Sequence, residues 1–291
     1  MSSQVRRSCQ VSRTGMVAGA MVLILLATAG AQAAIIMDLT GDIWDINLAT
    51  GLASNKRPAA STGCYVIDIV KAGSSYYTMT TSASTGSPNT LAIVDPATAQ
   101  LTYVGTSGVG GMIEGDMAFD ASANVFYVTY QIPSGTARNL LKVDMGGTAT
   151  VVGALPADTD YSGLSFDGIG NLYLLDNWNK KLLRISKTDA SVLGTVNVTS
   201  GGTSLSMGDT AGLDYDAVSG KMYLLTGASP SLYTLNPGTG EANLVGSTGL
   251  PLFTDVAGIS TAVPEPASLT LLALGGLAMI RRRRRAGTGV G

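Results

Sequence analysis

The stretch Ser231–Thr248, SLYTLNPGTGEANLVGST, constrains this chain most because it recurs. It reads as an apolar run, a turn with Pro237, Gly238 and Gly240, and a second run ending at Gly246. Proline presets φ early in a turn, glycine supplies positive φ, and the flanking Tyr, Thr, Leu and Val suit strands. The unit is therefore expected to be a β-hairpin. It returns at Leu91–Gly105 and Leu140–Gly153, and in weaker form at Ile43–Ala53 and Leu182–Gly194. The turn-opening residues Asn47, Asp95, Asp144, Ser186 and Asn236 lie 48, 49, 42 and 50 residues apart. Copies at nearly one period predict a repeat architecture.

A second unit alternates with the hairpin. It reads Gly115–Asp120 then Asn124–Val128, Ser162–Asp167 then Asn171–Leu174, and Ala211–Asp216 then Lys221–Leu224. Each is a short strand, a turn opened by Asp120, Asp167 or Asp216, and a strand centred on Tyr. These aspartates are expected to bond their own turn backbones. Cys64–Thr80 reads as a degenerate fourth copy, with Asp68 and Tyr77 in the corresponding places. Together the two units give four antiparallel strands per repeat, the size of one β-propeller blade. The expected fold is all-β, a propeller of about five four-stranded antiparallel blades. Asp255–Ser260 resembles a first strand with no second, and Ile35–Ala53 supplies later strands with no first. Pairing them closes the ring and removes an edge. A two-sheet sandwich or a solenoid competes, but the period is too long for a solenoid coil and a sandwich does not predict the repeat.

The ends differ in kind from the body. Arg6, Arg7 and Arg13 precede the apolar run Met16–Ala29, and Ala31-Gln32-Ala33 follows. That order describes a signal peptide over residues 1–33, with a helical apolar region. At the other end Val263-Pro264-Glu265-Pro266 leads into the apolar run Ala267–Ile280 and then Arg281, Arg282, Arg283, Arg284 and Arg285. Residues 263–291 resemble the PEP-CTERM sorting signal: a Pro-Glu-Pro tripeptide, a short transmembrane helix and a basic cluster. The five arginines favour the cytoplasmic side. The resemblance implies recognition of Pro264, Glu265 and Pro266 by an exosortase-type membrane protease. It also implies a Gram-negative-type bacterium making exopolysaccharide, a transient inner-membrane anchor, and a mature protein at the cell surface or in the extracellular matrix.

Between residues 34 and 262, the expected propeller domain, ten basic and nineteen acidic residues leave a balance of about −9. That makes nucleic acid an unsuitable partner, since phosphate binding draws on Lys and Arg. The chain has no histidine, which excludes the usual Ser-His-Asp and Cys-His pairs and histidine-ligated zinc. Cys9 falls in the leader, so Cys64 has no disulfide partner in the mature chain. The body repeats also resemble, loosely, bacterial propellers with an LYxIDPxTGxxTxVG pattern, as well as NHL and gluconolactonase-like propellers.

One pattern exceeds what turns require. Asp160, Asp209 and Asp255 each stand three residues before the glycine that opens an innermost strand, and Glu114 and Asp116 lie near the equivalent place. Converging at one channel mouth they would offer hard oxygens to Ca²⁺; dispersed, they are solvated loop carboxylates. The acidic pairs Asp158/Asp160 and Asp214/Asp216 invite a glycosidase reading, which needs two carboxyl groups flanking a sugar. Trp44, Trp178 and Tyr161 would serve as sugar platforms if exposed. The sequence thus predicts an exported, non-enzymatic binding or structural propeller facing polysaccharide or a surface protein. The alternative is a calcium-dependent hydrolase or lactonase of the gluconolactonase-like kind.

Overall fold

The structure, a computed structural model, describes residues 33–59, 64–82, 88–110, 115–131, 138–157, 160–208, 210–227, 229–251 and 256–261. The expected signal and transmembrane helices lie outside these residues, among which there is no helix. Blade I begins with β1 (Ala33–Asp38), β2 (Ile43–Asn47) and β3 (Ala53–Arg57). Blade II holds β4 (Cys64–Val66), β5 (Val70–Ala72), β6 (Ser75–Ser82), β7 (Pro88–Asp95) and β8 (Gln100–Gly110). Blade III is β9 (Met117–Asp120), β10 (Val125–Gln131), β11 (Arg138–Val143) and β12 (Ala149–Ala154). Blade IV is β13 (Tyr161–Phe166), β14 (Leu172–Asp176), β15 (Lys181–Ile185) and β16 (Val192–Asn197). A ribbon of β17 (Thr199–Ser200) and β18 (Thr203–Ser204) precedes blade V, which is β19 (Ala211–Asp216), β20 (Lys221–Thr226), β21 (Ser231–Leu235) and β22 (Ala242–Ser247). The last strand, β23 (Val256–Ser260), returns to blade I and pairs β1 with Ile36 opposite Ile259.

Every pairing within the blades is antiparallel. The inner strands β5, β9, β13, β19 and β23 touch in sequence and β23 touches β5, so the five-bladed ring is closed by strands from both ends of the body. The hairpins Leu91–Gly105 and Ser231–Thr248 occupy equivalent outer positions, in β7–β8 and β21–β22.

Strand alternation explains why these strands are apolar on both faces. Leu172 and Leu174 of β14 pack into a core shared with blade III, while Tyr173 and Leu175 pack into one shared with blade V. Blade I divides likewise: Ala34 and Ile36 face blade V, and Ile35 and Met37 face blade II. There are five such cores, one between each pair of blades. Successive side chains point to opposite faces, so a strand sandwiched between two neighbours must be apolar throughout.

The turns follow their sequence. Asn47, Asp95, Asp144, Ser186 and Asn236 each accept a backbone N–H two residues on, at 2.8–3.2 Å. Each of these turns closes on a residue at positive φ: Gly51, Ala99, Gly147, Ala190 and Gly240. Asp120, Asp167 and Asp216 do the same for the inner turns. Asp68 departs from expectation. Strand pairing sets Val70 opposite Tyr77 as Ala118 lies opposite Tyr127, which places Asp68 level with Asp116 rather than Asp120. Blade II turns on Gly73 and Ser74 alone, with φ +62° at Gly73, so Ala72 takes the place of the turn aspartate.

The Val-Gly that ends each strong hairpin copy proves to be a contact between blades. Val104, Val152 and Val245 are the extra residues of β-bulges, and the following Gly105, Gly153 and Gly246 lie opposite Leu91, Leu140 and Leu232. A bulge bends its strand. Here it carries the glycine onto the backbone of the next blade's outer turn. A Cβ on Gly105, Gly153 or Gly246 would overlap the carbonyl of Gly146, Asp189 or Thr50. Blade IV differs because its bulge lies nearer the turn, and Val196 pairs with Leu182 in the glycine's place. There the neighbour's Gly240 makes the close approach, to Asn197, while Gly194 has open space around it.

This contrast gives a paired test. Gly246→Ala is expected to cost about 1–3 kcal/mol by overpacking, whereas Gly194→Ala stays within ~0.5 kcal/mol. Urea unfolding of the two variants measures the difference, and equal midpoints would refute the contact.

Candidate functional site

Two cavities lie at opposite ends of the ring. The inner and outer hairpin turns gather at one end, and the remaining connections at the other, because the strands alternate in direction. The turn end holds a funnel of about 580 Å³ around the central axis. Its depth can be read level by level from the strand pairing. Val70, Ala118, Ser165, Asp214 and Ser260 share one level, and Lys71, Phe119, Phe166, Tyr215 and Thr261 the next one outward. Two residues inward of the first level stand Asp68, Asp116, Gly163, Gly212 and Gly258.

Asp68 and Gly258 explain one another. A Cβ on Gly258 would overlap the Asp68 carboxylate, so glycine there makes room for the acid. Asp68 accepts the Ile69 N–H at 2.6 Å and the Met117 N–H at 3.2 Å, tying blade II to blade III. Asp116 accepts the Met117 N–H at 2.7 Å through Oδ1. Its Oδ2 is buried with no N–H or O–H of the described residues donating to it. Asp68 is 2% exposed and Asp116 0%. Burial, then the nearby charge of Asp68, holds the Asp116 carboxyl well above its ordinary range. Burial raises Asp68 to about 7, against the opposing hydrogen bonds from Asp116, Ile69 and Met117. Two carboxyl groups in hydrogen-bond contact cannot both ionise in a dry site. A proton on Asp116 shared with Asp68 would give that buried oxygen a partner.

Asp214, higher in the funnel wall, accepts the Thr261 N–H at 2.6 Å and its hydroxyl at 2.9 Å, clasping blade V to the closing strand of blade I. Burial raises it to about 6 against those bonds. Asp216, its partner in the Asp-x-Asp pair, instead accepts the Val218 and Ser219 N–H groups in the turn. Asp68 and Asp214 therefore work as blade-to-blade clasps, and the sealed Asp68–Asp116 pair leaves no gap between its carboxyl groups for a sugar.

The opposite end has a cavity of about 490 Å³ lined by Arg138, Asp160, Asn177, Trp178, Lys180, Ser206 and Gly208. Of the three aromatic platforms named from sequence, Trp44 and Tyr161 are buried, at 8% and 4% exposure, and Trp178 is 70% exposed. Trp178 rides on a fixed turn. Asp176 accepts the Asn179 N–H at 3.1 Å and its amide at 2.8 Å, and the Asn177 N–H bonds the Asp160 carbonyl at 2.9 Å. Asn177 is the hub: its amide donates to Asp160 Oδ2 and to the Gly208 carbonyl, each at 3.3 Å, and it accepts from the Ser162 hydroxyl.

Of the acids expected to gather around Ca²⁺, Asp160 lines this cavity. Asp209, Asp255 and Glu114 lie outside the described residues, as does Asp158. Among the described residues no three His, Cys, Asp or Glu side chains are grouped to hold a metal. The sorting residues Pro264, Glu265 and Pro266 and the tail Arg281–Arg285 are likewise beyond them. The sequence reading missed the Asp68–Asp116 pair; aligning the repeats on Tyr77 and Tyr127, rather than on turn aspartates, would have exposed it.

Comparison with known proteins supports this picture at both levels. Residues 262–285 match the PEP-CTERM protein-sorting motif. No curated protein matches the sequence. A chain from the crystal structure of a nidogen/laminin complex is 16% identical, with a TM-score of 0.51 over 79% of this chain and 98% of that one, and shares the fold. Glutaminyl cyclase from Myxococcus xanthus (16% identity, TM-score 0.44) covers 76% of this chain and 79% of its own. TolB from Acinetobacter baumannii (12%, 0.46) covers 75% and 53%. The sorting motif marks an exported protein with a C-terminal membrane anchor before cleavage, processed by exosortase, a membrane protease. Among the described residues no helix is long and apolar enough to cross a membrane.

The buried acids set the pH response. Their folded pKa values exceed the ordinary 3.8, so the folded state binds more protons than the unfolded above pH ~4. Their contribution is full below that pH and is lost as pH rises through about 6 to 7. Asp45, Asp95, Asp120 and Asp189, lowered in the folded state, act the opposite way but only at more acid pH. The urea midpoint is expected to fall between pH 5 and 8, and Asp116→Asn to flatten that fall while keeping the fold. An identical slope in both proteins would refute the shared proton.

Proposed function

We propose that the processed chain is a non-catalytic surface or matrix protein that binds polysaccharide with the face carrying Trp178. The observation that carries the reading is the contrast between the two ends. In the funnel Asp68 and Asp214 hold blades together and Asp120 and Asp167 hold their own turns, whereas the opposite face offers a pinned, exposed indole beside polar groups. Small-ligand sites have this composition, an apolar wall with a few placed polar groups, and span ~300–1,000 Å³.

The position of the last described residue agrees. The described chain ends at Thr261, which lines the funnel, and the sorting motif begins at the next residue. The described chain thus ends at the funnel end of the ring, and the Trp178 face lies at the opposite end.

Two measurements test this reading. Replacing Pro264, Glu265 and Pro266 together by Ala is expected to leave an unprocessed, membrane-held chain, seen by mass spectrometry of its C-terminus; normal release would refute the delivery step. The processed protein is expected to show no turnover of aryl glycosides or lactones with or without Ca²⁺. Turnover abolished by Asp214→Asn would establish the hydrolase alternative instead.

A further inference from the structure

Resting on that reading, we infer that the cavity at Trp178 is a subsite for a neutral pyranose unit of a polysaccharide, stacked on the indole and hydrogen-bonded by Asp160, Ser206 and the two flanking cations.

Four observations lead there. The first is that Trp178 contributes nothing visible to the fold. It belongs to none of the five cores and keeps 70% of its surface in water, although burying so large a ring would be strongly favourable. The second is that its turn is rigid, with Asp176, Asn177 and Asp160 joining backbone and side chains on both sides. An exposed aromatic on a fixed backbone is pre-organised for contact, and loses little entropy on binding a flat partner.

The third is the polar set. The Asp160 carboxylate has about four acceptor sites, and the Asn177 bond fixes one of its oxygens. Ser206 supplies a hydroxyl, and Arg138 and Lys180 supply donors. Asn177 is a positioning residue, since its own amide is spent on Asp160, Gly208 and Ser162. A sugar ring presents C–H groups on one face and hydroxyls, both donors and acceptors, around its edge. An indole face bordered by a carboxylate, a hydroxyl and N–H donors complements both.

The fourth is charge, which selects neutral over acidic sugar. The Arg138 guanidinium lies 5.7 Å over the Tyr161 ring and the Lys180 ammonium is drawn to the Asn177 carbonyl. Against Asp160 they leave a formal excess of one positive charge in the lining, with a carboxylate in the same cavity to repel a uronate. The body's excess of acids opposes polyanions further.

The chain's two tryptophans make the test direct, because Trp44 is buried and Trp178 is not. The processed protein is run through native gels containing a neutral β-glucan, a neutral galactan or the acidic polymer alginate, and its fluorescence is quenched with acrylamide. A neutral polymer is expected to retard the protein and shield Trp178 from quencher. Trp178→Ala is expected to weaken retardation at least tenfold with Trp44 emission unchanged, and Asp160→Asn several-fold. Retardation undiminished in Trp178→Ala would overturn this subsite while leaving polysaccharide binding intact. Retardation by alginate alone, lost at high salt, would overturn the neutral-sugar assignment. No retardation of the native protein by any of the three would refute both the subsite and the polysaccharide reading beneath it.

Discussion

The ring rests on burial that no blade can achieve alone. Each four-stranded sheet has two apolar faces and a neighbour on each side, so every core belongs to two blades. A missing or misregistered blade would leave two faces wet, at ~25 cal/mol for each Å² of apolar surface. Closure is therefore a requirement of the sequence, and the pairing of β1 with β23 meets it with strands 223 residues apart at Ile36 and Ile259, about as far apart as the described chain allows.

Apolar burial is non-directional and would tolerate blades sliding past one another. Backbone contacts at the rim and buried acids at the axis remove that freedom. At the rim, bulged strands bring Gly105, Gly153 and Gly246 against the next blade's turn, and the Ala53 N–H bonds Thr248 across the blade I–V boundary at 2.9 Å. At the axis, Asp68 and Asp214 each reach an N–H of the neighbouring inner strand. Directional bonds in a dry interior fix register where packing alone does not, and an acid pair sharing one proton avoids burying two charges.

Much of this was legible because turn chemistry is local. Asn47, Asp95, Asp144, Ser186 and Asn236 announced their turns by residue type and spacing, and the unmatched ends announced the closing strand. What stayed hidden was relational. Gly246 reads as the end of a strand, and only its approach to Thr50 shows why a side chain is excluded there. Asp68 resembled a turn aspartate because blade II shortens its inner turn to two residues, which shifts the alignment by four. Trp44, Tyr161 and Trp178 were equal candidates in sequence. Their separation comes from strand phase: Trp44 lies within β2 against the core of blades I and V, and Tyr161 within β13, whereas Trp178 sits on a turn beyond β14.

The same geometry ties folding to delivery. Thr261 is the last described residue, and it clasps Asp214 from the end of the closing strand. Pro264 follows three residues later. The residues that clasp the ring shut and those that match the sorting motif are thus adjacent in sequence. Proline on both sides of Glu265 resists extension of β23, since it offers no N–H to a ladder. A cut on the C-terminal side of Thr261 would keep the Asp214 clasp, and with it the pairing of β23 with β1 that closes the ring.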